Sequence, residues 1–294
     1  MSEGGGSRRR LHVLLAFMVF VWSINFVVAK NALNEFSPLL LAALRFTLGA
    51  LFVLPIYWWA KGGVRIASLA LSWKVLALGV IGVAANQFLF LLGLVRTTVA
   101  HSAILIALTP LMVLLLSAWV GHEHITSKKL VGLGLAVSGV AVLQGRALLG
   151  GQGSMLGDVF VLLAGLAFAI FTVGGKQVRS RYDGLTMATI AYVGSAVMLS
   201  PVTLWLSLRF DFSHISWVGW LSLLYIATFP SVIAYLIFFH ALRYMPSSQV
   251  SRLAYLQPFI ATLFAVPILG EKVTPALVTG GALVLAGVFW TERP

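Results

Sequence analysis

The chain has 294 residues, of which 60% are hydrophobic and only 10% charged, with a formal net charge of +12. A soluble domain averages roughly a quarter charged residues, so this composition excludes a soluble fold and points to an all-α polytopic membrane protein. The absence of cysteine excludes disulfides, thiolate metal sites and cysteine nucleophiles, and hydrophobicity that is continuous rather than alternating excludes a β-barrel.

Ten apolar runs of membrane-spanning length follow one another. The first, 11–30, comes after Arg8, Arg9 and Arg10. A signal peptide has similar flanks, but the length, Trp22, Asn25 and the lack of a small-x-small cleavage site favour an uncleaved span. The second, 38–59, opens on Ser37 as N-cap and Pro38 at the first helical position. Runs 73–95, 99–119 and 128–146 follow. After Gly150-Gly151-Gln152-Gly153 come 156–176, 184–208, 216–240, 247–269 and 274–291.

Basic residues give the orientation. Three of the twenty, Lys30, Arg45 and Arg252, fall inside spans or at their edges. With the N-terminus inside, thirteen of the remaining seventeen are cytoplasmic, and only Arg96, Arg146, Arg209 and Lys272 lie outside. A bias of that size on short loops places both termini in the cytoplasm.

The two halves resemble each other. "LTPLMVLLLSAWVGHEHIT" (108–126) matches "LQPFIATLFAVPILGEKVT" (256–274), pairing Pro110 with Pro258, Glu123 with Glu271 and Thr126 with Thr274. Gly132 and Gly139 pair with Gly280 and Gly287 at the same separation of 148, and Lys30 pairs with Lys176 at 146. The expected units are 1–148 and 149–294. Five spans per half is an odd number, so the halves enter the membrane in opposite senses. Such inverted repeats are characteristic of secondary transporters, with the substrate near the midplane between them.

The pattern L-x-P, an apolar run and L-G-E-x-x-T resembles the EamA repeat of the drug/metabolite transporter superfamily. Leu256-Gln257-Pro258 with Leu269-Gly270-Glu271-Lys272-Val273-Thr274 carries it closely, while Gly121-His122-Glu123 departs from it in the first half. Among the branches of that superfamily the chain is most similar to the YddG-type amino-acid exporters. That resemblance implies ten helices as two inverted five-helix repeats around a central cavity. It also implies export of amino acids, above all aromatic or apolar ones, across a bacterial inner membrane.

Polar residues at membrane depth are functional candidates by default. In the first span Trp22 and Asn25 lie one turn apart. The third offers Asn86, Gln87 and Phe90, the sixth Phe168, and the eighth Thr228, Ser231 and Tyr235. Such stripes either join helices or line a cavity. His101 either binds a polar ligand or bonds a neighbouring helix. Arg252 either snorkels to the inner face or meets a substrate carboxylate, with Tyr255 nearby. Pro110 and Pro258 break the fourth and ninth spans, and Pro110 frees the carbonyl of Ile106; the pair is expected to gate. Glu123 and Glu271 are read as ordering the next helix start, beside caps at Ser127 and Thr274.

His122, Glu123 and His124 have the look of a metal trio but lack a wider ligand set, so neither a metal nor a cofactor is expected. No carboxylate lies mid-span and no phosphate-loop motif occurs, which favours facilitated diffusion over ion or ATP drive. The expected partners are an amino acid and membrane lipid, with no nucleic acid, and the chain is expected to be a monomer. Another metabolite or drug on the same fold, proton-coupled through a histidine, is the alternative. An intramembrane enzyme lacks a nucleophile–base set, and a channel would not saturate.

Overall fold

The computed structural model describes residues 3–62, 73–121, 125–147, 154–178, 183–244 and 256–292. Within them the chain forms ten helical units. In the first half these are α1 (Glu3–Ala32), α2 (Pro38–Lys61), α3 (Trp73–Gly79, a π-helical turn Val80–Ala85, then Asn86–Leu94), α4 (Val99–Ile106 and Thr109–Trp119) and α5 (Ser127–Ala147). The second half holds α6 (Met155–Val178), α7 (Gly184–Arg209), α8 (Trp217–Thr228, a π-helical turn Phe229–Ile233, then Ala234–Tyr244), α9 (Gln257–Leu269) and α10 (Pro275–Glu292). Seven of these are long and apolar enough to cross a membrane, and α9 and α10 are shorter apolar helices.

Capping residues set the boundaries. Ser37 accepts the Leu40 N–H and precedes Pro38, and Asp183 accepts the Thr186 N–H to start α7. At α10 the Thr274 hydroxyl accepts the Leu277 N–H. At α5 the cap is Thr126, which accepts the Lys129 N–H, rather than the expected Ser127. The 148-residue offset relates Thr126 to Thr274, so the two helices share one starting device.

The repeats meet through glycines. A Cβ on Gly132 would stand 2.6 Å from the Gly287 carbonyl oxygen, and one on Gly139 would stand 2.6 Å from that of Gly280. The offset turns Gly132 into Gly280 and Gly139 into Gly287, so each contact maps onto the other. That exchange is what a twofold axis between α5 and α10 requires. Small residues there let the backbones touch, which is how helices associate where lipid offers no hydrophobic contrast. Helices α2 and α7, also repeat-mates, pack on each other as well.

Neither π-helical turn was foreseen. Both sit at the same place in the repeat, Val80–Ala85 in α3 and Phe229–Ile233 in α8. In α3, a Cβ on Gly82 would lie 2.0 Å from that of Phe171, so only glycine allows this approach to α6. In α8, Pro230 has no N–H to give the carbonyl of Ile226. The Ser231 hydroxyl donates to that carbonyl instead, at 2.6 Å. The same substitution occurs at the break in α4, where the carbonyl freed by Pro110, that of Ile106, accepts the Thr109 hydroxyl at 2.6 Å.

Candidate functional site

Helices α3, α4 and α8, each broken along its length, meet Gln257 of α9 around one central cavity. About 160 Å³ of it is open to water-sized molecules, roughly ten times what a single water needs, so it is a site rather than a packing defect.

Six of the eighteen residues on its wall are aromatic. Trp22 of α1 packs against Tyr235 and Phe238 of α8, with ring centroids 5.8 Å away in each case. Phe168 of α6 meets the same two rings at 6.4 and 6.2 Å, and Phe26 meets Phe90 edge-on at 5.1 Å. The Trp22 indole N–H donates to the Pro230 carbonyl at 3.1 Å, which fixes the ring against the π-helical turn.

The polar part comes from both repeats. Asn25, Asn86 and Gln87 line the wall, as do Thr109 and its repeat-mate Gln257. Asn86 also donates to the Ala164 carbonyl of α6 at 2.7 Å, so this residue both joins helices and faces the cavity. Arg45, two turns into α2, reaches the same space with only 1% of its surface exposed. Its Nε–H donates to the Ser231 hydroxyl at 2.7 Å, while its Nη1 has no hydrogen-bond partner. Asn25 Oδ1 is unpartnered too, in a residue 7% exposed.

Of the site residues expected from sequence, Trp22, Asn25, Asn86, Gln87, Phe90, Phe168 and Tyr235 lie on this wall, together with Pro110. Pro258 is buried beside Gln257 but is not part of the wall. Thr228 turns back to the Leu224 carbonyl of its own helix. Arg252, Tyr255 and the trio His122, Glu123 and His124 lie outside the described residues, and no metal-ligand cluster occurs among the described ones. Sequence reasoning missed Met18 and Phe238, although Met18, Trp22 and Asn25 follow helical spacing and could have been grouped. From sequence Arg45 is a cation within a span that faces either the cavity or an interface, and the structure puts it on the cavity wall.

His101 stands elsewhere. Its Nδ1 lies 3.4 Å from Oδ2 of Asp158, a fully buried carboxylate in the first turn of α6. Asp158 Oδ1 accepts the Thr97 hydroxyl at 2.6 Å. Asp158 keeps to the expectation that no carboxylate lies mid-span, but it is fully buried at the end of its span, which its place at a helix start does not reveal.

Around the same residues, Lys30 donates to the carbonyls of Leu94 and, at 2.7 Å, Thr97. The Glu271 carboxylate accepts the N–H groups of Val99 and Ala100 at 2.6 and 3.1 Å. Glu271 thus caps α4 of the other repeat, not the α10 start beside it. Carboxylates suit exposed N–H groups at a helix start, where the dipole is positive.

A helical membrane bundle whose repeats enclose a central cavity has the architecture of a membrane carrier. The sequence model of the EamA-like transporter family matches this chain twice, over residues 10–144 and 155–293, and the chain belongs to that family. An uncharacterized transporter of Archaeoglobus fulgidus is 30% identical over 290 residues, covering 96% of this chain and 97% of its own length. A Salmonella typhimurium protein named "Probable amino-acid metabolite efflux pump" is 27% identical, covering 94% of this chain and 92% of its own length. A solved crystal structure shares the fold, with a TM-score of 0.68 at 20% identity over 96% of this chain and 97% of its own.

Proposed function

We propose that this transporter exports amino acids with apolar or aromatic side chains by alternating access between the repeats, without ATP. The observation that carries this reading is the cavity wall, where aromatic rings are combined with a small set of amides and hydroxyls. An aromatic face accepts an apolar side chain, and ring faces also attract an ammonium group, by about 0.5–2 kcal/mol depending on desolvation. A site of that modest strength suits a carrier, which must release its cargo on the far side. Relatives named "Probable amino-acid metabolite efflux pump" support the cargo class.

In this reading the chain is a monomer in a bacterial inner membrane. Its termini are cytoplasmic, in keeping with the basic residues of the short loops. No carboxylate lies on the cavity wall among the described residues, which favours movement down the amino-acid gradient. Proton coupling through a histidine is favoured only by the buried His101–Asp158 pair, away from the cavity.

The test is counterflow in liposomes holding the purified protein, with each of the twenty amino acids in turn, with and without a pH gradient. Saturable exchange of Phe, Trp, Tyr or Met is the expected result. No exchange of any amino acid under either condition would overturn the reading.

A further inference from the structure

Within the reading of the cavity as an amino-acid site, on which this step rests, we infer that Arg45 anchors the carboxylate of the transported molecule and that Asn25 takes its ammonium group. Arg45 belongs to an apolar helix and is almost wholly removed from solvent, yet no carboxylate pairs with it among the described residues. A desolvated cation without a counter-ion is costly in lipid surroundings and marks a functional position.

One hydrogen bond, from Nε to Ser231, fixes the plane of the guanidinium. Ser231 is itself fixed, because its hydroxyl donates to the Ile226 carbonyl that Pro230 leaves free. The guanidinium is therefore held by a backbone device of α8 and not by a flexible loop. Its Nη1 remains unpartnered, on a residue lining the cavity. A guanidinium edge presents parallel N–H donors that match the two oxygens of a carboxylate.

The second orphan is of the opposite kind. Asn25 Oδ1 is a buried acceptor on a residue that lines the same cavity. An ammonium group donates and cannot accept. One unpartnered donor and one unpartnered acceptor, beside the rings of Trp22, Phe168 and Phe238, together match the carboxylate, ammonium and apolar side chain of a zwitterion. A purely structural arginine would have its donors satisfied within the protein, and a site for neutral drugs would have no use for an unpaired cation.

Competition on the wild-type protein tests the assignment without any variant. The probe is counterflow of the best-transported amino acid, challenged by its methyl ester, its decarboxylated amine and its deaminated acid. A hydrogen bond to a charged group is strong enough that the ester and the amine should compete about 30-fold more weakly than the amino acid. The deaminated acid keeps the Arg45 contact and should compete within about tenfold.

Arg45→Gln should raise KM about 30-fold, and Arg45→Lys should recover part of that loss because it keeps the charge without the fork. Ester and amine competing as well as the parent amino acid would overturn the assignment, and so would an unchanged KM in Arg45→Gln. Transport of deaminated acids without any amino acid would overturn the cargo reading while leaving Arg45 as the anion anchor. Transport of amines alone would sink both.

Discussion

Lys30 and Arg45 are both cations set into apolar helices, and they end in opposite circumstances. The junction around Lys30 is closed: two carbonyls receive its ammonium, Glu271 takes two N–H groups, and Thr97 donates to the buried Asp158. The cavity around Arg45 leaves a donor and an acceptor without partners at similar or greater burial. Buried polar groups in proteins are almost always paired. The junction contacts serve the fold, whereas the unpartnered atoms of Arg45 and Asn25 belong to residues that line a cavity with room for a ligand. The difference between the two regions is thus one of hydrogen-bond satisfaction, not of charge or depth.

That contrast predicts stability changes of opposite sign. Lys30→Met should destabilise the protein by about 3 kcal/mol, because two buried carbonyls lose a charged donor. Thermal unfolding in detergent would show it as a lower midpoint, and an unchanged midpoint would break the comparison at its strongest point. Arg45→Met should instead leave stability unchanged or raise it by about 2 kcal/mol, since it removes an uncompensated buried charge, even as transport is lost. A lower unfolding midpoint in that variant would make Arg45 a structural residue.

Thr97→Val sharpens the comparison within the junction. It removes the donor to Asp158 Oδ1 and should cost about 1–2 kcal/mol with no change in substrate KM.

The smallest effect belongs to the exposed Lys61–Asp183 pair, at 2.7 Å. Burial pushes the Asp183 carboxyl up, but hydrogen bonds from Lys61 and Thr186 outweigh it and leave the group below its ordinary value. A depressed carboxylate adds stability above its unfolded pKa, near 4, and that stability is lost as pH falls through the lower folded value. Asp183→Asn should remove this acid dependence while changing neutral-pH stability by under about 1 kcal/mol. A wild-type acid profile in the variant would assign the dependence to other groups.

Much of the architecture was legible because each signal is local. Apolar runs of bilayer length gave the ten helical units of the described residues, with Ser37-Pro38 and Thr274-Pro275 marking starts that the capping bonds bear out. The Pro110 break could be placed because a proline always lacks its N–H. Trp22, Asn25 and Asn86 stood out as polar or aromatic residues at depth. The π-helical turns were not legible, since Val80–Ala85 reads as ordinary apolar helix and depends on Phe171 approaching Gly82 from another helix. The role of Glu271 was misjudged for a related reason. Its own neighbourhood suggests a cap for α10, whereas its partners, Val99 and Ala100, are more than 170 residues away.

The sequence alone therefore determined the membrane class, the helix count and the duplication, all of which follow from composition, run length and spacing along one chain. The tertiary structure decided which buried polar groups are satisfied. Lys30 finds its carbonyls more than sixty residues away, and Arg45 is held by Ser231 of the other repeat; hydrogen-bond partners at that range leave no periodic trace in the chain.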